Sequence, residues 1–258
     1  MINHDFKKKF GQNFISDKNL ISAICDDAGV ENDDEVLEIG AGAGSLTSVL
    51  NERAKKVVSY EIDKDLQSHL LGLELDKAKF VFGDIMDFSI ENIEKDFSDN
   101  YKMIANLPYY ITTPIIFKFL NGSNKIKSLT IMVQKEVAER IVASSGGKDY
   151  GVLSVMIKFF GQAKITRIVS RKMFFPQPNV DSAVVSIQIE NKYPQIDKEK
   201  FYKFIQNVFA MRRKTLNNNL QQAGYDKEKI KLLGEETLKA RAEIFGLEKL
   251  IEIYNAVK

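Results

Sequence analysis

Short β-branched runs alternate with amphipathic stretches through the first two thirds of the chain. The runs predict strands at 35–40, 56–62, 79–85, 101–107 and 128–134, and the stretches between them predict helices near 17–28, 45–53, 64–73, 114–120 and 135–143. This alternation is typical of βαβ units, in which a helix crosses between parallel strands. We therefore expect an α/β fold with a mostly parallel, doubly wound sheet.

Two later segments also predict strands. Residues Val152 to Val169 are rich in apolar side chains, and DSAVVSIQIE (181–190) alternates as an exposed edge or hairpin strand would. Thr113 before Pro114 predicts a helix start, with Thr113 as the cap, and Asn121-Gly122 predicts the end of that helix.

After Tyr193-Pro194 the pattern becomes helical throughout, in FYKFIQNVFA, DKEKIKLLG and LEKLIEIYNAV. A change from mixed to purely helical character marks a domain boundary. We predict an α/β domain over 1–192 and a small helical domain over 193–258.

The composition indicates an ordinary globular protein, with 44% hydrophobic and 28% charged residues. No apolar run approaches about 20 residues, and the N-terminal MINHDFKKKF lacks a secretory signal, so we expect a cytoplasmic protein. Cys25 has no partner for a disulfide, and His4 and His69 lie far apart, so no metal site is expected.

Basic residues are unevenly distributed, although 37 basic residues nearly balance 35 acidic ones. The stretch Val152 to Val180 contains no acid and five basic residues, which are Lys158, Lys164, Arg167, Arg171 and Lys172. Two shorter clusters are Lys7 to Lys9 and Arg212, Arg213 and Lys214. A single charged cluster is usually a solvated face, but three of them favour an anionic partner.

Three glycines, Gly40, Gly42 and Gly44, follow the first predicted strand in EIGAGAGSLT. Glycines at this position allow a tight turn and a close approach of backbone amides to a ligand. Their spacing is GxGxG and not the GxGxxG that is typical of pyrophosphate binding.

Acidic residues end the next two strands. Glu61 in YEID stands where an acid accepts hydrogen bonds from ribose hydroxyls, and Asp84 in GDI could accept from an adenine amine. Together with the glycines they predict an adenosine-shaped pocket. The departure from GxGxxG favours S-adenosylmethionine over a dinucleotide; a nicotinamide-dependent oxidoreductase, which would need a longer glycine motif and a catalytic His or Tyr–Lys set, is the alternative.

The segment NLPYY (106–110) lies where a buried strand runs into a turn. The Asn106 side chain and the carbonyls around Leu107 have no obligatory ladder partners there, so they are free to face a ligand. Two adjacent tyrosines could form a platform beside them.

Seven motifs together resemble the ribosomal RNA adenine dimethyltransferases of the small subunit, the KsgA/RsmA family. They are KKFGQNFISD, EIGAGAGSLT, YEID, GDI, NLPYYITTPI, FFPQPNVDSAVV and RRKTLNNNL, and they span about residues 6 to 221 in family order. FFPQPNV departs from the family pattern, with Gln177 and Asn179 where proline and lysine are usual.

The resemblance implies a Rossmann-like methyltransferase fold with a helical, RNA-binding C-terminal domain. It implies transfer of methyl groups from S-adenosylmethionine to the exocyclic amines of two adjacent adenosines in the 3′-terminal hairpin loop of small-subunit (16S) ribosomal RNA, with a role in ribosome biogenesis. The cofactor contacts implied by the resemblance and by the strand ends are Asn13, Ile15, Gly40, Gly42, Glu61, Ile62, Asp84, Ile85 and Asn106.

The same resemblance assigns the catalytic turn. Asn106 and the Leu107 carbonyl would accept the two N–H bonds of the target amine, and Pro108 would fix the turn. Tyr109 would stack on one face of the flipped-out base, and motif alignment selects Phe174 rather than Phe175 for the other face. The basic residues named above would contact phosphates.

Two other functions remain open at this point. The large-subunit (23S) adenine methyltransferases that confer macrolide resistance share QNF, the glycine loop and the Asn-Leu/Ile-Pro turn; the glycine of FGQNF and the RRKTLNNNL segment favour the small-subunit branch. A non-catalytic ribosome assembly factor is the other. The sequence shows no long exposed apolar helix or strand that would pack against a second copy of the chain, so we expect a monomer.

Overall fold

The fold is described by a computed structural model for residues 13–258. Within that range, no helix is both long and apolar enough to cross a membrane.

A seven-stranded sheet is the central element, with strand order β4-β3-β2-β5-β6-β9-β7. Its strands are β2 (Glu35–Ile39), β3 (Lys56–Glu61), β4 (Ala78–Phe82), β5 (Tyr101–Asn106), β6 (Ile126–Gln134), β7 (Gly161–Val169) and β9 (Ser182–Ile189). A separate two-stranded ribbon joins β1 (Phe14–Ile15) to β8 (Phe174–Phe175) in antiparallel register.

Strands β4, β3, β2, β5 and β6 run parallel, and β9 pairs antiparallel with β6. The chain moves outward from β2 to β4 on one side and then returns to β5 on the other side of β2. The order therefore reverses between β2 and β5, and ligands of open α/β sheets bind at the carboxyl ends of the strands at such a point. The α/β, Rossmann-like fold class is confirmed.

Six helices accompany these strands: α1 (Lys18–Asp27), α2 (Ser45–Arg53), α3 (Gln67–Leu71), α4 (Ile90–Glu94), α5 (Thr112–Gly122) and α6 (Lys135–Val142). Asp17 caps α1 by accepting a 2.8 Å hydrogen bond from the Leu20 amide. The core between α1, α2 and the sheet contains Ile24, Val36 and Leu50.

The second group of helices comprises α7 (Val152–Phe160), α8 (Lys198–Val208), α9 (Leu216–Gln222), α10 (Lys227–Lys231), α11 (Glu235–Lys239) and α12 (Leu247–Val257). Aromatic contacts hold it together: the ring centroids of Phe159 and Phe201 are 4.7 Å apart, and those of Phe204 and Tyr254 are 5.4 Å apart.

The chain forms two compact units, each with its own core. Among the described residues, the first contains 13–138 together with Lys164–Ile189, and the second contains Glu139–Ala163 and Glu190–Lys258. A single cut after residue 192 would place 139–163 with the sheet. In the structure that segment packs with the C-terminal helices, because α7 shares their aromatic core.

Three local predictions were wrong. Residues 152–160 form a helix because an apolar run buried on nearly every side suits a core helix as well as a strand. Strand β9 is not an exposed edge strand, because it lies between β6 and β7 and most of its residues are buried. Helix α5 starts at Thr112, so Thr113 is not its cap.

Candidate active site

A cleft of about 810 Å³, counting its open mouth, lies at the carboxyl ends of β2, β3, β4 and β5. Side chains from every one of these strand ends line it. Eight of the nine predicted cofactor-binding residues are among them: Asn13, Gly40, Gly42, Glu61, Ile62, Asp84, Ile85 and Asn106. The ninth, Ile15, lines an adjoining cleft of about 490 Å³ that shares Gly40, Gly42 and Asn106.

Two glycines of the loop between β2 and α2 stand where a side chain would meet a neighbouring atom. Gly40 has φ +88°, and a Cβ atom there would stand 3.3 Å from the Asn106 carbonyl oxygen. Gly42 has φ +55°, and its Cβ would stand 2.9 Å from the Phe14 ring. Both the backbone conformation and the space select glycine, so a ligand can approach the main chain directly.

Glu61, at the end of β3, is only 4% exposed, and its carboxylate organises the loop. Oε2 accepts a 2.8 Å hydrogen bond from the Gly42 amide, and Oε1 accepts one of 2.8 Å from the Asp63 amide. Desolvation by burial raises the pKa of Glu61, and these amide hydrogen bonds oppose the rise. Each oxygen keeps a second lone pair with which it could accept from a ribose hydroxyl.

Asp84 follows β4 and caps the 3₁₀ turn Ile85–Asp87. Its Oδ1 accepts a 2.9 Å hydrogen bond from the Met86 amide, which leaves Oδ2 as a further acceptor. The adjacent Ile85 and Ile62, which directly follows β3, supply apolar walls of the same cleft. An acceptor flanked by apolar walls suits the edge of an adenine ring.

Asn106 ends β5, and its amide has a fixed orientation. Its Nδ2 donates a 3.0 Å hydrogen bond to the carbonyl oxygen of Asn13. Because the amide group is planar, this bond directs Oδ1 to the opposite side of the side chain, where it can act as an acceptor. The residue lines both clefts.

The turn after Asn106 is held by its own hydrogen bonds. The Pro108 carbonyl accepts from the Ile111 amide at 3.2 Å and from Thr112 Oγ1 at 3.1 Å. Leu107, Pro108, Tyr109 and Tyr110 all line the larger cleft. Since the Pro108 carbonyl is occupied, the Leu107 carbonyl is the better candidate for a substrate acceptor.

Tyr109 is half-buried, and its hydroxyl lies 2.9 Å from Ser182 Oγ, which is fully buried on β9. Burial raises the pKa of the Tyr109 phenol, so it stays neutral at physiological pH. The hydrogen bond fixes the position of the outer end of the ring. Tyr110, by contrast, is 60% exposed.

The structure does not bring Phe174 to the cleft. Its side chain is 5% exposed and belongs to the core cluster that contains Ile15, its partner across the β1/β8 ribbon. The neighbouring Phe175 is 64% exposed and pairs with Phe14, which lines the cleft. Because side chains alternate along a strand, Phe175 is the exposed residue of this pair and Phe174 the buried one.

The predicted RNA-binding residues of the first unit differ in their exposure and in whether a group of the protein already pairs with their charge. Lys164, Arg171 and Lys172 are exposed, with the Arg171 guanidinium donating to the Asn179 carbonyl at 2.9 Å. Arg167 instead makes a two-pronged ion pair with Asp27, at 2.6 and 3.0 Å. Its charge is therefore already compensated within the fold.

A similar division holds in the second unit. Arg212, Arg213 and Lys214 are all exposed, but Arg212 also donates to the Lys148 carbonyl at 2.6 Å and lies 3.5 Å from a Glu243 carboxylate oxygen. Lys158 Nζ lies 5.3 Å from the centroid of the Tyr150 ring. The Lys7 to Lys9 cluster lies outside the described residues.

The residues of the cleft fit S-adenosylmethionine. The glycine loop admits a close ligand, Glu61 and Asp84 supply acceptors at neighbouring strand ends, and Asn106 stands where the two clefts meet. Across residues 13–258, no cluster of three or more His, Cys, Asp or Glu side chains could hold a metal ion.

Sequence reasoning missed several residues that shape the cleft. Phe14 lines both clefts and was contained in the quoted motif QNF; Ser182, in DSAVV, anchors Tyr109. Lys118 donates a hydrogen bond to the carbonyl of Ile85, which lines the cleft. The only feature of the sequence that could have indicated this residue is a single cation within the apolar helix α5.

Comparison with known proteins places these features in a family. The family described as "Ribosomal RNA adenine dimethylase" matches residues 3–253. The Ribosomal RNA small subunit methyltransferase A of Mycoplasma mobile is 46% identical over 230 residues, which cover 89% of this chain and 88% of that protein.

Two solved structures share the fold. A dimethyladenosine transferase from Plasmodium falciparum superposes with a TM-score of 0.79 at 24% identity, covering 93% of this chain and 95% of that one. The 23S rRNA methyltransferase ErmE superposes with a TM-score of 0.70 at 24% identity, covering 95% and 99%. This chain belongs to the ribosomal RNA adenine dimethylase family, and it is an adenine dimethyltransferase that uses S-adenosylmethionine as its methyl donor.

Proposed function

We propose that this enzyme dimethylates the exocyclic amines of two adjacent adenosines in the 3′-terminal hairpin loop of 16S ribosomal RNA, within the small ribosomal subunit. The 46% identical relative from Mycoplasma mobile carries the name of a small-subunit enzyme and matches this chain nearly end to end, which supports the choice of subunit. A contribution to small-subunit biogenesis and a cytoplasmic location follow from that substrate.

The observation that carries the proposal is the orientation of the Asn106 amide. Its Nδ2 is engaged by the Asn13 carbonyl, so Oδ1 is available as an acceptor on the wall of the cleft. An adenine amine is a weak nucleophile because its lone pair is delocalised into the ring. Acceptance of its two N–H bonds by Asn106 Oδ1 and the Leu107 carbonyl would localise that lone pair on the nitrogen.

S-adenosylmethionine, when bound, supplies an electrophilic methyl group. The chain's own residues bind and orient the reactants: Glu61 would hold the ribose, Asp84 the adenine edge and the glycine loop the methionine tail. Positioning of this kind accounts for much of the acceleration that enzymes achieve. No strong general base is required, because the amine proton becomes acidic once the nitrogen carries a positive charge.

Tyr109 would support the flipped target base. Its ring lines the cleft next to the catalytic turn, and Ser182 fixes the position of its hydroxyl end. Stacking of a base on an aromatic ring stabilises by about 1–3 kcal/mol. The exposed Phe175 is the second ring on the face shared with Phe14, and in this structure it is better placed for a base than Phe174.

The exposed cations Lys164, Arg171 and Lys172 on one unit and Arg213 and Lys214 on the other are the candidates for phosphate contacts. Such contacts position an RNA without reading its sequence. Arg167 and Arg212 are weaker candidates, because internal partners already engage them. We propose a monomer that uses no metal; a mass near one chain that does not vary with concentration in sedimentation would support the first point.

A methylation assay tests the substrate. The protein is incubated with tritiated S-adenosylmethionine and small ribosomal subunits from a strain that lacks this modification, with large subunits in parallel, and labelled nucleosides are identified after digestion. Dimethyladenosine from small subunits alone is the expected result. Label only in large subunits would instead indicate a 23S adenine methyltransferase of the kind that confers macrolide resistance.

The Asn106→Ala variant separates catalysis from assembly. If the enzyme acts by methylation, this variant binds the subunit with nearly unchanged affinity and yields little dimethyladenosine. A wild-type protein that binds both the subunit and S-adenosylhomocysteine but transfers no methyl group would instead indicate a non-catalytic assembly factor.

A further inference from the structure

Lys118 is a single cation in the middle of the apolar helix α5, between the buried Phe117 and Phe119. Its Nζ donates hydrogen bonds to three main-chain carbonyls, those of Ile85 at 2.8 Å, Met86 at 2.9 Å and Phe88 at 2.6 Å. An ammonium group has three N–H donors, so these carbonyls match its full donor capacity. The side chain is thus committed to a single turn of the backbone.

That turn is the one that carries Asp84 and Ile85 into the cleft. Asp84 Oδ1 holds it from inside by accepting from the Met86 amide, and Lys118 holds it from outside through the carbonyls. Without Lys118, three carbonyl oxygens that now converge on one cation would repel one another. The turn would then lose the conformation that presents Asp84.

Lys118 also links two walls of the cleft. Helix α5 begins at Thr112, directly after the NLPYY turn, and Ile111 and Ile115 line the cleft from this side. The lysine therefore ties the helix behind the catalytic turn to the loop behind the predicted adenine site. Burial lowers the pKa of the Lys118 ammonium group, and the nearby carboxylates of Asp84 and Asp87 oppose that shift.

We propose that Lys118 is a positioning residue for adenine recognition: it holds the Asp84–Phe88 turn so that Asp84 accepts from the exocyclic amine of the cofactor. The inference rests on the assignment of S-adenosylmethionine to this cleft. It assigns to Lys118 a role in ligand specificity as well as in stability, because unsubstituted purine, which has a hydrogen atom in place of that amine and keeps N1 as an acceptor, offers Asp84 no donor.

Calorimetry with two ligands tests the proposal. S-adenosylhomocysteine and its 6-deaminated analogue, whose base is unsubstituted purine, differ only by the exocyclic amine. Wild-type protein is expected to bind the adenine compound more tightly. Lys118→Met keeps most of the side-chain length and removes all three donors. We expect it to weaken binding of S-adenosylhomocysteine by about tenfold or more while changing that of the 6-deaminated analogue by less than about twofold.

Lys125→Met is the matched control. Lys125 also donates from Nζ to a main-chain carbonyl, that of Phe97 at 3.3 Å, and neither residue lines the cleft. We expect this variant to bind both ligands as the wild type does. The ratio of the two affinities is the decisive quantity, because a general loosening of the fold would weaken both ligands together.

An equal loss for both ligands, or no change in either, would overturn the proposal. If Lys118→Met does not fold, Lys118→Gln replaces it as the test. The glutamine amide keeps two N–H donors, so the ratio of the two affinities should be smaller than that of the wild type but should not vanish. Failure of the wild type to bind S-adenosylhomocysteine at all would contradict the cofactor assignment and is thereby distinguishable from failure of the role of Lys118.

Discussion

The side-chain amide of Asn106 and the carbonyl oxygen of Asn13 are joined by a 3.0 Å hydrogen bond across 93 residues of sequence. This bond is the reason that the acceptor atom of the catalytic turn has a defined direction. The segment before the sheet therefore acts on the chemistry through the rotamer of one asparagine.

Replacement of Asn106 tests this relationship. Asn106→Ala should lower the single-turnover rate of methyl transfer by about 10²–10³-fold, the range found when one oriented hydrogen-bonding group is removed from an active site. Asn106→Asp retains an acceptor but loses the donor to Asn13, and should be impaired as well. A loss below about tenfold for both variants would show that the amide does not orient the amine.

The hydrogen bond between Tyr109 and Ser182 predicts that substitutions of these two residues have non-additive effects on kcat/KM. Tyr109→Phe and Ser182→Ala each remove the same hydrogen bond, so each should cost about 1 kcal/mol in kcat/KM, and the double variant should be no worse than either alone. Kinetics of the four proteins gives the coupling energy. Fully additive losses would mean that the two residues act separately.

Gly42 provides a test of the close-approach argument. Gly42→Ala would place a Cβ 2.9 Å from the Phe14 ring at φ +55°, and we expect affinity for S-adenosylhomocysteine to fall by at least about tenfold. Gly29 is a matched control, with φ +58° and open space around the added atom. Gly29→Ala should cost about 1 kcal/mol of unfolding free energy and leave the affinity unchanged; an affinity loss of the same size in both variants would contradict the argument.

The raised pKa of Glu38 predicts how the free energy of unfolding varies with pH. It is fully buried on β2, Oε2 accepts from Thr47 and Ser59 at 2.6 Å each, and burial raises its pKa to about 7. Between the unfolded pKa and about 7 the native state holds a proton that the unfolded state releases, so this group makes stability fall as pH rises through that window. The contribution is about 3 kcal/mol over the whole window.

Glu38→Gln should abolish that dependence, because an amide does not titrate. Urea unfolding at pH 5, 7 and 8.5 should show a smaller decline for the variant than for the wild type. Parallel stability curves for the two proteins would mean that Glu38 is ionised in the native state throughout.

Substitutions of Arg167 and Lys172 are expected to affect different properties, the first the stability of the fold and the second the affinity for RNA. Arg167→Ala breaks the pair with Asp27 and should lower the unfolding free energy by about 1 kcal/mol, with little change in RNA affinity. Lys172→Ala, at an exposed position, should weaken RNA binding and reduce its salt dependence by about one ion. The reverse pattern would show that Arg167 leaves Asp27 to reach phosphate.

The sequence predicted the sheet and the cleft well, because strand ends with Gly, Glu, Asp and Asn carry their chemistry in local motifs. It did not predict that Phe174 is buried and Phe175 exposed, since that depends on the register of β8 against β1, and a shift of one residue exchanges the faces. The role of Lys118 was also invisible, because its acceptors are main-chain atoms some 30 residues away, which leave no signature in side-chain identity.

The β1/β8 ribbon has a consequence for synthesis of the enzyme on the ribosome. Asn13, Phe14 and Ile15 are among the first described residues to be made, yet their partners include Asn106 on β5 and Phe174 and Phe175 on β8. A nascent chain that ends before residue 175 has a glycine loop and acidic strand ends but cannot close the segment over them. We expect donor binding to mature late in translation, so that a partly synthesised chain does not sequester the methyl donor.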